Sequence, residues 1–314
     1  MKTVPLGRSA LRSSQLAYGC WRIAGPVENA PVTAERETHA VKAISTALDC
    51  GFTMFDLADV YSDGHAEELF GHALRQIPGM RDRVVISTKC GIRKQGDPDQ
   101  HAPYRYDFTS KHIIESAEKS LRRMGTDVID LYQLHRPDYL ANPIEVADAF
   151  TRLKQSGKVK EFGISNARPT LVAVFQRFCP MQLVVNQVEI SLMKLDCFHD
   201  GTLDQCMLEG ITPLAWSPLG GGRLSYAHPV DLHDPIHAKR LKLKEELDHI
   251  ARHHNVNRAA VALAWLLMHP SGIVPIVGTT NPEHICETTK AVSLQLSREE
   301  WYRLMEAAVG HRLP

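Results

Sequence analysis

Short apolar runs alternate with amphipathic stretches along most of the chain. Eight of the runs have the length and the β-branched or aromatic content of strands. Several are almost continuously apolar, as expected for parallel strands that are covered on both faces. The predicted strands are LAYGCW (16–21), TMFDLA (53–58), VVISTKC (84–90), VIDLYQLH (128–135), VKEFGIS (159–165), LVVNQVEI (183–190), TPLAWSPL (212–219) and IVPIVGT (273–279).

Helical patterns occupy many of the segments between the predicted strands. Helices are predicted over 35–50, 65–77, 110–124, 141–155 and 168–178. Capping signals agree with these bounds, because Asn142-Pro143 is typical of a helix start, and Gly125 and Gly157 follow the ends of two helices.

The strand–helix alternation predicts the fold class. Eight such units in 314 residues, with no break in composition, indicate an α/β (β/α)8 TIM barrel with long βα loops and an additional C-terminal helix, formed by one domain over 1–314. The rival is an open doubly wound sheet, which usually carries GxGxxG after its first strand. The first strand here runs into GCWRIAG, which does not match. The closed barrel is therefore the prediction.

Two predicted loops are much longer than the others. They cover 91–108, after the third strand, and 220–236, after the seventh. Long loops in a compact barrel usually serve function, and barrel enzymes keep their active sites at the C-terminal ends of the strands. We therefore expect both loops to border a site.

Composition and charge limit the classes of partner. Lys plus Arg (36) balance Asp plus Glu (36), so no basic face for nucleic acid or an anionic membrane is predicted. No apolar run approaches the roughly 18 residues of a membrane span, and MKTVPLGRSALRSS has no apolar core of a secretory signal. Seven scattered cysteines without a CxxC pair favour a reducing compartment over a disulfide framework or a zinc site. The expected location is the cytoplasm.

No metal site and no oligomeric interface is predicted. His249 and His253 stand four residues apart in a helical pattern, but the glutamate of an HExxH motif is missing, and a solvated helix face explains them. No heptad or clear apolar stripe identifies an interface, so the sequence leaves the oligomeric state open.

Ionisable residues stand at the ends of three consecutive predicted strands. Asp56 is near the end of the second strand, and Tyr61 follows in the loop. Lys89 and His135 end the third and fourth strands. Singly, each has an ordinary structural explanation, such as a turn or cap for an aspartate. Four such residues on neighbouring strands favour one site.

These residue types suit proton donation to a carbonyl oxygen. A tyrosine has a pKa near 10, which is too high for an efficient acid at neutral pH, and a nearby ammonium group should lower it. Asp56 would keep Lys89 charged and oriented, and His135 would direct the substrate oxygen.

The order of the motifs resembles the aldo-keto reductase superfamily, most closely its bacterial predicted-oxidoreductase branch. The matching segments are FDLADVYSDGHAEELFGHAL, VVISTKCGIR, DLYQLHRPD, EFGISN, VVNQVEI, AWSPLGGGRL and PIVGTTNPEHI. The resemblance implies NAD(P)H-dependent reduction of aldehydes or ketones to alcohols, with hydride from the nicotinamide and the proton from Tyr61. It assigns Lys89 and Asp56 to tuning the tyrosine, and His135 to orienting the carbonyl.

The resemblance also implies a cofactor site at the barrel mouth without a Rossmann domain. Trp21 is implied as a cofactor-binding residue, and the residues implied for the nicotinamide end are Ser165, Asn166, Gln187 and the stacking aromatic Trp216. Those implied for the pyrophosphate-facing loop are Ser217, Leu219 and Gly220. Those implied for the adenosine end are Gly278, Thr279, Thr280, His284, Glu287 and Thr288.

The adenosine end departs from the family pattern. Many NADP-dependent relatives have Lys or Arg at the position of Gly278, Arg at that of His284 and Asn at that of Thr288. A histidine is mostly neutral at pH 7 and lacks the planar fork of arginine. The hydroxyls of Thr279 and Thr280 and the helix start at NPEHI favour phosphate. We therefore expect NADP(H) to be preferred, with NAD(H) use possible.

The expected substrate is a small-molecule carbonyl compound whose identity and stereochemistry the sequence leaves open. Trp21, Tyr104 and Tyr106 are candidates for an apolar or aromatic-tolerant substrate pocket. One alternative function is a nucleotide-sensing regulatory or binding protein with vestigial reductase activity, like the aldo-keto-type subunits of potassium channels. Another is a phosphate-binding barrel isomerase or lyase, against which the lack of a second carboxylate pair and the AWSPL segment count.

Overall fold

The computed structural model describes residues 1–25, 32–225 and 237–314, and it confirms a closed barrel of eight parallel strands. The barrel strands are β1 (Ala17–Gly19), β2 (Met54–Asp56), β3 (Val85–Cys90), β4 (Ile129–Leu134), β5 (Val159–Ser165), β6 (Leu183–Glu189), β7 (Thr212–Trp216) and β8 (Val274–Val277). They follow one another in chain order, and β8 closes the ring by pairing with β1. Each lies within one of the eight segments predicted from the sequence.

Helices surround the barrel. They are α1 (Ala34–Asp49), α2 (His65–Gln76), α3 (Met80–Arg83), α4 (Ser110–Met124), α5 (Pro143–Gln155), α6 (Pro169–Phe178), α7 (Thr202–Glu209), α8 (His237–His253), α9 (Arg258–Leu267), α10 (Pro282–Thr288) and α11 (Arg298–Val309). The predicted additional C-terminal helix is α11. None of the helices among the described residues is long and apolar enough to cross a membrane.

The capping signals act as predicted. The Asn142 side chain accepts a hydrogen bond from the Ile144 amide at the start of α5, and Pro143 takes the first helical position. Gly125 ends α4 with φ +65°, a left-handed conformation that favours glycine.

The lower half of the barrel interior is filled by apolar side chains. A hairpin of Thr3–Pro5 and Arg12–Ser14 precedes β1. Leu6, which lies in the turn of this hairpin, packs against the inward-facing residues of the barrel strands. That cluster contains Leu6, Ala17, Met54, Val85, Leu131, Val184, Val185, Leu214, Val274 and Ile276. Because this end is closed and apolar, polar chemistry is confined to the C-terminal ends of the strands.

The 91–108 loop contains a second short antiparallel pair, formed by Ile92–Arg93 and Arg105–Tyr106. Arg93 fixes the loop by salt bridges to Asp97 (2.7 Å) and Asp107 (2.9 Å). Of the 220–236 loop, residues 226–236 lie outside the described part of the chain.

One cysteine pair corrects the sequence-based expectation of no disulfide. Cys50, just after α1, is bonded to Cys286 in α10, across a sequence separation of 236 residues. The other cysteines of the chain are free and buried. The bond joins the helix after β1 to the helix after β8, so it lies beside the closing seam of the barrel. Pairs so distant in sequence leave no spacing signal.

The histidines at the end of α8 contact α11. His253 Nδ1 and His254 Nε2 lie 3.2 and 2.8 Å from Glu300 Oε1, while Glu300 Oε2 accepts the Ser297 amide in a capping box. Metal-ligating atoms of these three residues lie within 4.8 Å of one another. Helix capping and histidine hydrogen bonds account for this arrangement.

Candidate active site

A buried lysine is the centre of the polar cluster at the top of the barrel. Lys89 Nζ, from β3, donates to Asp56 Oδ2 of β2 at 2.8 Å and to the Leu57 carbonyl at 2.7 Å. Its third contact is the Tyr61 hydroxyl at 3.3 Å. The strand ends thus bring together three of the four residues predicted to be catalytic.

Asp56 accepts two further hydrogen bonds, one from β3 and one from β6. Ser87 Oγ of β3 donates to its Oδ1 at 3.3 Å, and Gln187 Nε2 of β6 donates to its Oδ2 at 3.0 Å. Burial disfavours a charged lysine, but the Asp56 carboxylate and the Tyr61 hydroxyl outweigh this and raise the pKa of Lys89. Lys89 is therefore an ammonium group across the neutral pH range.

A left-handed turn places Tyr61 over the lysine. Ser62, Asp63 and Gly64 have φ values of +48°, +56° and +92°, which only glycine adopts without strain. Asp63 forms a 2.5 Å ion pair with Lys94 in the long loop after β3. Such strained backbone persists where surrounding contacts fix it, and functional sites are where it concentrates.

The protonation state of Tyr61 differs from the expectation. Burial raises the pKa of this tyrosine, and the lysine lowers it without cancelling the effect of burial. The predicted influence of Lys89 is therefore present, but the net direction is upward because the depth of burial cannot be read from the sequence. Tyr61 is a protonated hydroxyl at neutral pH.

His135 faces the tyrosine edge-on as a neutral ring. The two ring centroids are 5.7 Å apart at an angle of 80°. Burial lowers the pKa of His135 well below its usual value, and the positive charges of Lys89 and Arg136 add to that effect. Nδ1 of His135 is buried without a hydrogen-bond partner among the described residues.

The residues implied for the carboxamide form a connected network. Asn166, with φ +56°, donates to Ser165 Oγ (2.8 Å) and to the His135 carbonyl (3.1 Å). Ser165 Oγ in turn donates to the Gln187 carbonyl at 2.7 Å. The indole nitrogen of Trp216 donates to Asn166 Oδ1 at 3.0 Å, which fixes the plane of the ring.

A cleft of about 550 Å³ connects these residues to the start of α10. The predicted residues that line it are Trp21, Asp56, Tyr61, Lys89, His135, Ser165, Asn166, Gln187, Trp216, Ser217, Leu219, Gly278, Thr279, His284, Glu287 and Thr288. Four predicted residues are not among those that line it: Tyr104, Tyr106, Gly220 and Thr280.

The structure shows what surrounds Tyr104 and Gly220, two of these four residues. Tyr104 is 55% exposed and makes an edge contact with Tyr106. Gly220 has φ +59°, and a β-carbon there would lie 2.6 Å from Met193 Sδ, so this glycine is required by packing within the protein.

Sequence reasoning missed several residues of the cleft. These are Gly19, Arg22, Arg136, Pro218, Gly221, Gly222, Ser225, Asn257, Ala259, Ile276 and Val277. Arg136 directly follows His135 in LHRPD, and its place in that motif was the available signal.

The adenosine end of the cleft has no lysine or arginine among its described lining residues. The segments 26–31 and 226–236 contain none in the sequence either. The start of α10 is already capped, because Asn281 Oδ1 accepts the amides of Glu283 and His284. Asn257 donates to Glu287 Oε2 at 3.3 Å. The helix start therefore offers less to a phosphate than the sequence suggested.

Comparisons with known proteins agree with this geometry. The model of the Aldo/keto reductase family matches residues 15–309. A 6-dehydroglucose reductase of Novosphingobium aromaticivorans is 39% identical, and the match covers 98% of this chain and 96% of that protein. Oxidoreductase YdhF of Escherichia coli is 40% identical over 87% of this chain and 89% of its own length. The solved structure of glycerol dehydrogenase AKR11B4 from Gluconobacter oxydans superimposes with a TM-score of 0.86, at 26% identity over 98% of this chain and 95% of that chain.

Proposed function

Because the chain belongs to the aldo/keto reductase family, we propose that it reduces aldehydes or ketones to alcohols with Tyr61 as the proton donor. This is an oxidoreductase family that acts on small carbonyl compounds with nicotinamide cofactors. The observation that carries the proposal is the buried chain of Asp56, Lys89 and Tyr61, with hydrogen bonds of 2.8 and 3.3 Å.

The residues of the cleft fit a nicotinamide. Gln187 Oε1 is buried without a hydrogen-bond partner among the described residues, and it is an acceptor of the kind that a carboxamide N–H₂ needs. The Trp216 indole, fixed by Asn166, supplies a flat support for a flat ring. A nicotinamide held by these residues would supply the hydride.

Tyr61 provides the proton to the carbonyl oxygen. In the free enzyme it is protonated, because burial raises its pKa, so the acid is present in its active form. When the proton leaves, the phenolate remains 3.3 Å from the Lys89 ammonium, which stabilises the new negative charge. Asp56 keeps that ammonium in place.

His135 orients the carbonyl as a neutral imidazole. The ring stands edge-on to Tyr61 at the top of the cleft, so a carbonyl oxygen between them can accept from both. A neutral ring does not compete with Tyr61 as the acid.

NADP(H) is the proposed preferred cofactor, with measurable use of NAD(H). His284, Thr279 and Thr288 line the adenosine end. Thr279 and His284 offer one hydroxyl and one imidazole to a 2′-phosphate, whereas the Thr288 hydroxyl donates to the Ile285 carbonyl at 2.6 Å. We therefore expect the 2′-phosphate to be recognised weakly. A preference for NADPH over NADH above about a hundredfold would contradict this, because it would require a charge-assisted contact, which is worth about 1.5–3 kcal/mol.

The test is cofactor oxidation followed at 340 nm with 4-nitrobenzaldehyde, using NADPH and NADH separately, for wild type and Tyr61→Phe. A 6-dehydroglucose sample is a second substrate, because a relative is named for reducing it. We expect wild-type turnover and a loss of about 10²- to 10⁴-fold in kcat/KM for Tyr61→Phe.

Two results would contradict the proposal. Cofactor binding, seen as quenching of tryptophan fluorescence, without turnover of any carbonyl would support the nucleotide-sensing alternative. If Tyr61→Phe turned over the substrate as fast as wild type, Tyr61 would not be the proton donor.

A further inference from the structure

Arg136 reaches across the mouth of the barrel. It follows His135 at the end of β4, and its guanidinium carbon lies 5.2 Å from the centroid of the Trp216 ring at the end of β7. These two strands are three positions apart around the barrel, so the side chain spans the cleft. The indole is itself fixed by Asn166. A cation–π contact with a fixed indole holds the guanidinium in a defined position.

The charge of Arg136 has no carboxylate partner among the described residues. The carboxylates that line the described cleft are Asp56, which is paired with Lys89, and Glu287 in α10. The nearby Asp138 accepts the amides of Phe108 and Leu140. A half-buried guanidinium thus presents its N–H donors to the cleft beside His135.

We propose that Arg136 forms an anion-binding subsite next to the carbonyl position, so that the enzyme selects aldehydes that carry a carboxylate group. The inference rests on the proposed reductase function and specifies its substrate class. A guanidinium presents a planar fork of donors that matches a carboxylate, and charge-assisted bonds of this kind are the strongest in proteins. A fixed guanidinium also loses little freedom when the substrate binds.

The position of Arg136 favours the substrate over the cofactor as the source of the anion. The residue is adjacent in sequence to His135, and its charge acts on both His135 and Tyr61, lowering the pKa of each. It therefore lies at the proton-donating end of the cleft, whereas the loop after β7 carries the residues implied for the pyrophosphate. Both sources share the same chemistry, so the experiment must separate them.

The experiment compares two matched substrate pairs in the full-length enzyme with NADPH. One pair is succinic semialdehyde and butanal; the other is 4-carboxybenzaldehyde and benzaldehyde. The measured quantity is the ratio of kcat/KM for the carboxylated to the uncharged member. We expect a wild-type ratio of about 10 or more, and a fall of about 10- to 100-fold in Arg136→Met, mostly through KM of the carboxylated substrate. Arg136→Lys should lower the ratio less than Arg136→Met does, because lysine keeps the positive charge but lacks the planar fork of N–H donors of the guanidinium.

Arg22→Met is the matched control, because Arg22 is the other arginine that lines the described cleft. A similar fall in both arginine variants would overturn the proposal in favour of a general positive potential. A weaker NADPH affinity in Arg136→Met with an unchanged ratio would assign the residue to the cofactor phosphates. A wild-type ratio near 1 would also overturn the subsite, while turnover of the uncharged substrates would leave the reductase function standing.

Discussion

The indole nitrogen of Trp216 donates a 3.0 Å hydrogen bond to Asn166 Oδ1, and this contact ties the seventh strand to the loop after the fifth. Trp216→Phe keeps a flat ring but removes the donor. We expect the Kd for NADPH to rise about 3- to 10-fold, the value of one neutral hydrogen bond. Fluorescence titration of NADPH measures this. Trp301→Phe, in α11 and not among the residues that line the cleft, is the control, and an equal effect there would show that the Asn166 contact is not the cause.

Lys89 should matter to both activity and stability. Lys89→Met leaves the Asp56 carboxylate buried without its cation, and breaking a buried ion pair in this way costs about 3–5 kcal/mol. We expect urea unfolding to show that loss and kcat/KM to fall at least about 100-fold. The double variant Asp56→Asn, Lys89→Met should recover part of the stability and none of the activity. Recovered activity would show that the ammonium group is not needed by Tyr61.

The pH profile of kcat/KM should show no acidic limb from His135. Its pKa lies well below the usual 6.5, so the ring stays neutral as the pH falls through 6. Tyr61, whose pKa is raised, keeps its proton as the pH rises to 9. We expect kcat/KM to change less than about threefold between pH 6 and 9. A limb with a midpoint near 6.5 that disappears in His135→Gln would contradict this.

Asp59 predicts a specific dependence of stability on pH. Burial raises the pKa of this carboxyl group to about 8, with the nearby Glu67 adding to the effect. The native protein therefore keeps a proton that the unfolded chain releases above about pH 4, so native stability falls as the pH rises from 4 towards 8. Asp59→Asn removes this loss without changing the shape of the side chain.

The measurement is the free energy of unfolding of wild type and Asp59→Asn at several pH values. We expect the free energy of unfolding of Asp59→Asn, relative to that of wild type, to increase by about 1 kcal/mol or more between pH 5 and 8, since one pKa unit corresponds to about 1.4 kcal/mol. A difference that stays constant with pH would show that Asp59 is ionised in the native protein.

Cofactor selectivity should respond to the residue at 284. His284→Arg adds a charged fork at the adenosine end of the cleft. We expect the ratio of kcat/KM for NADPH over NADH to rise about 10- to 100-fold, through KM for NADPH. His284→Gln is the uncharged control. An unchanged ratio in the arginine variant would place the 2′-phosphate elsewhere.

The eight strands and the cluster at their ends were predictable for physical reasons. Parallel strands buried on both faces give continuous apolar runs, and an ionisable residue that ends such a run, like Lys89 or His135, has to lie at the rim. Arg136 was not predicted, because a single arginine after a strand carries no periodic signal and only its place after His135 in LHRPD pointed to it. The raised pKa of Tyr61 was not predicted either, because it results from burial of the side chain, and burial depends on the three-dimensional structure.

The Cys50–Cys286 bond has a consequence for the covalent integrity of the chain. It encloses seven of the eight strands and both long loops within one covalent ring. A protease that cuts once between these two cysteines, in either loop, leaves a single molecule that gel electrophoresis resolves into two fragments only after reduction. The barrel is then closed twice, by the pairing of β8 with β1 and by a bond that survives unfolding.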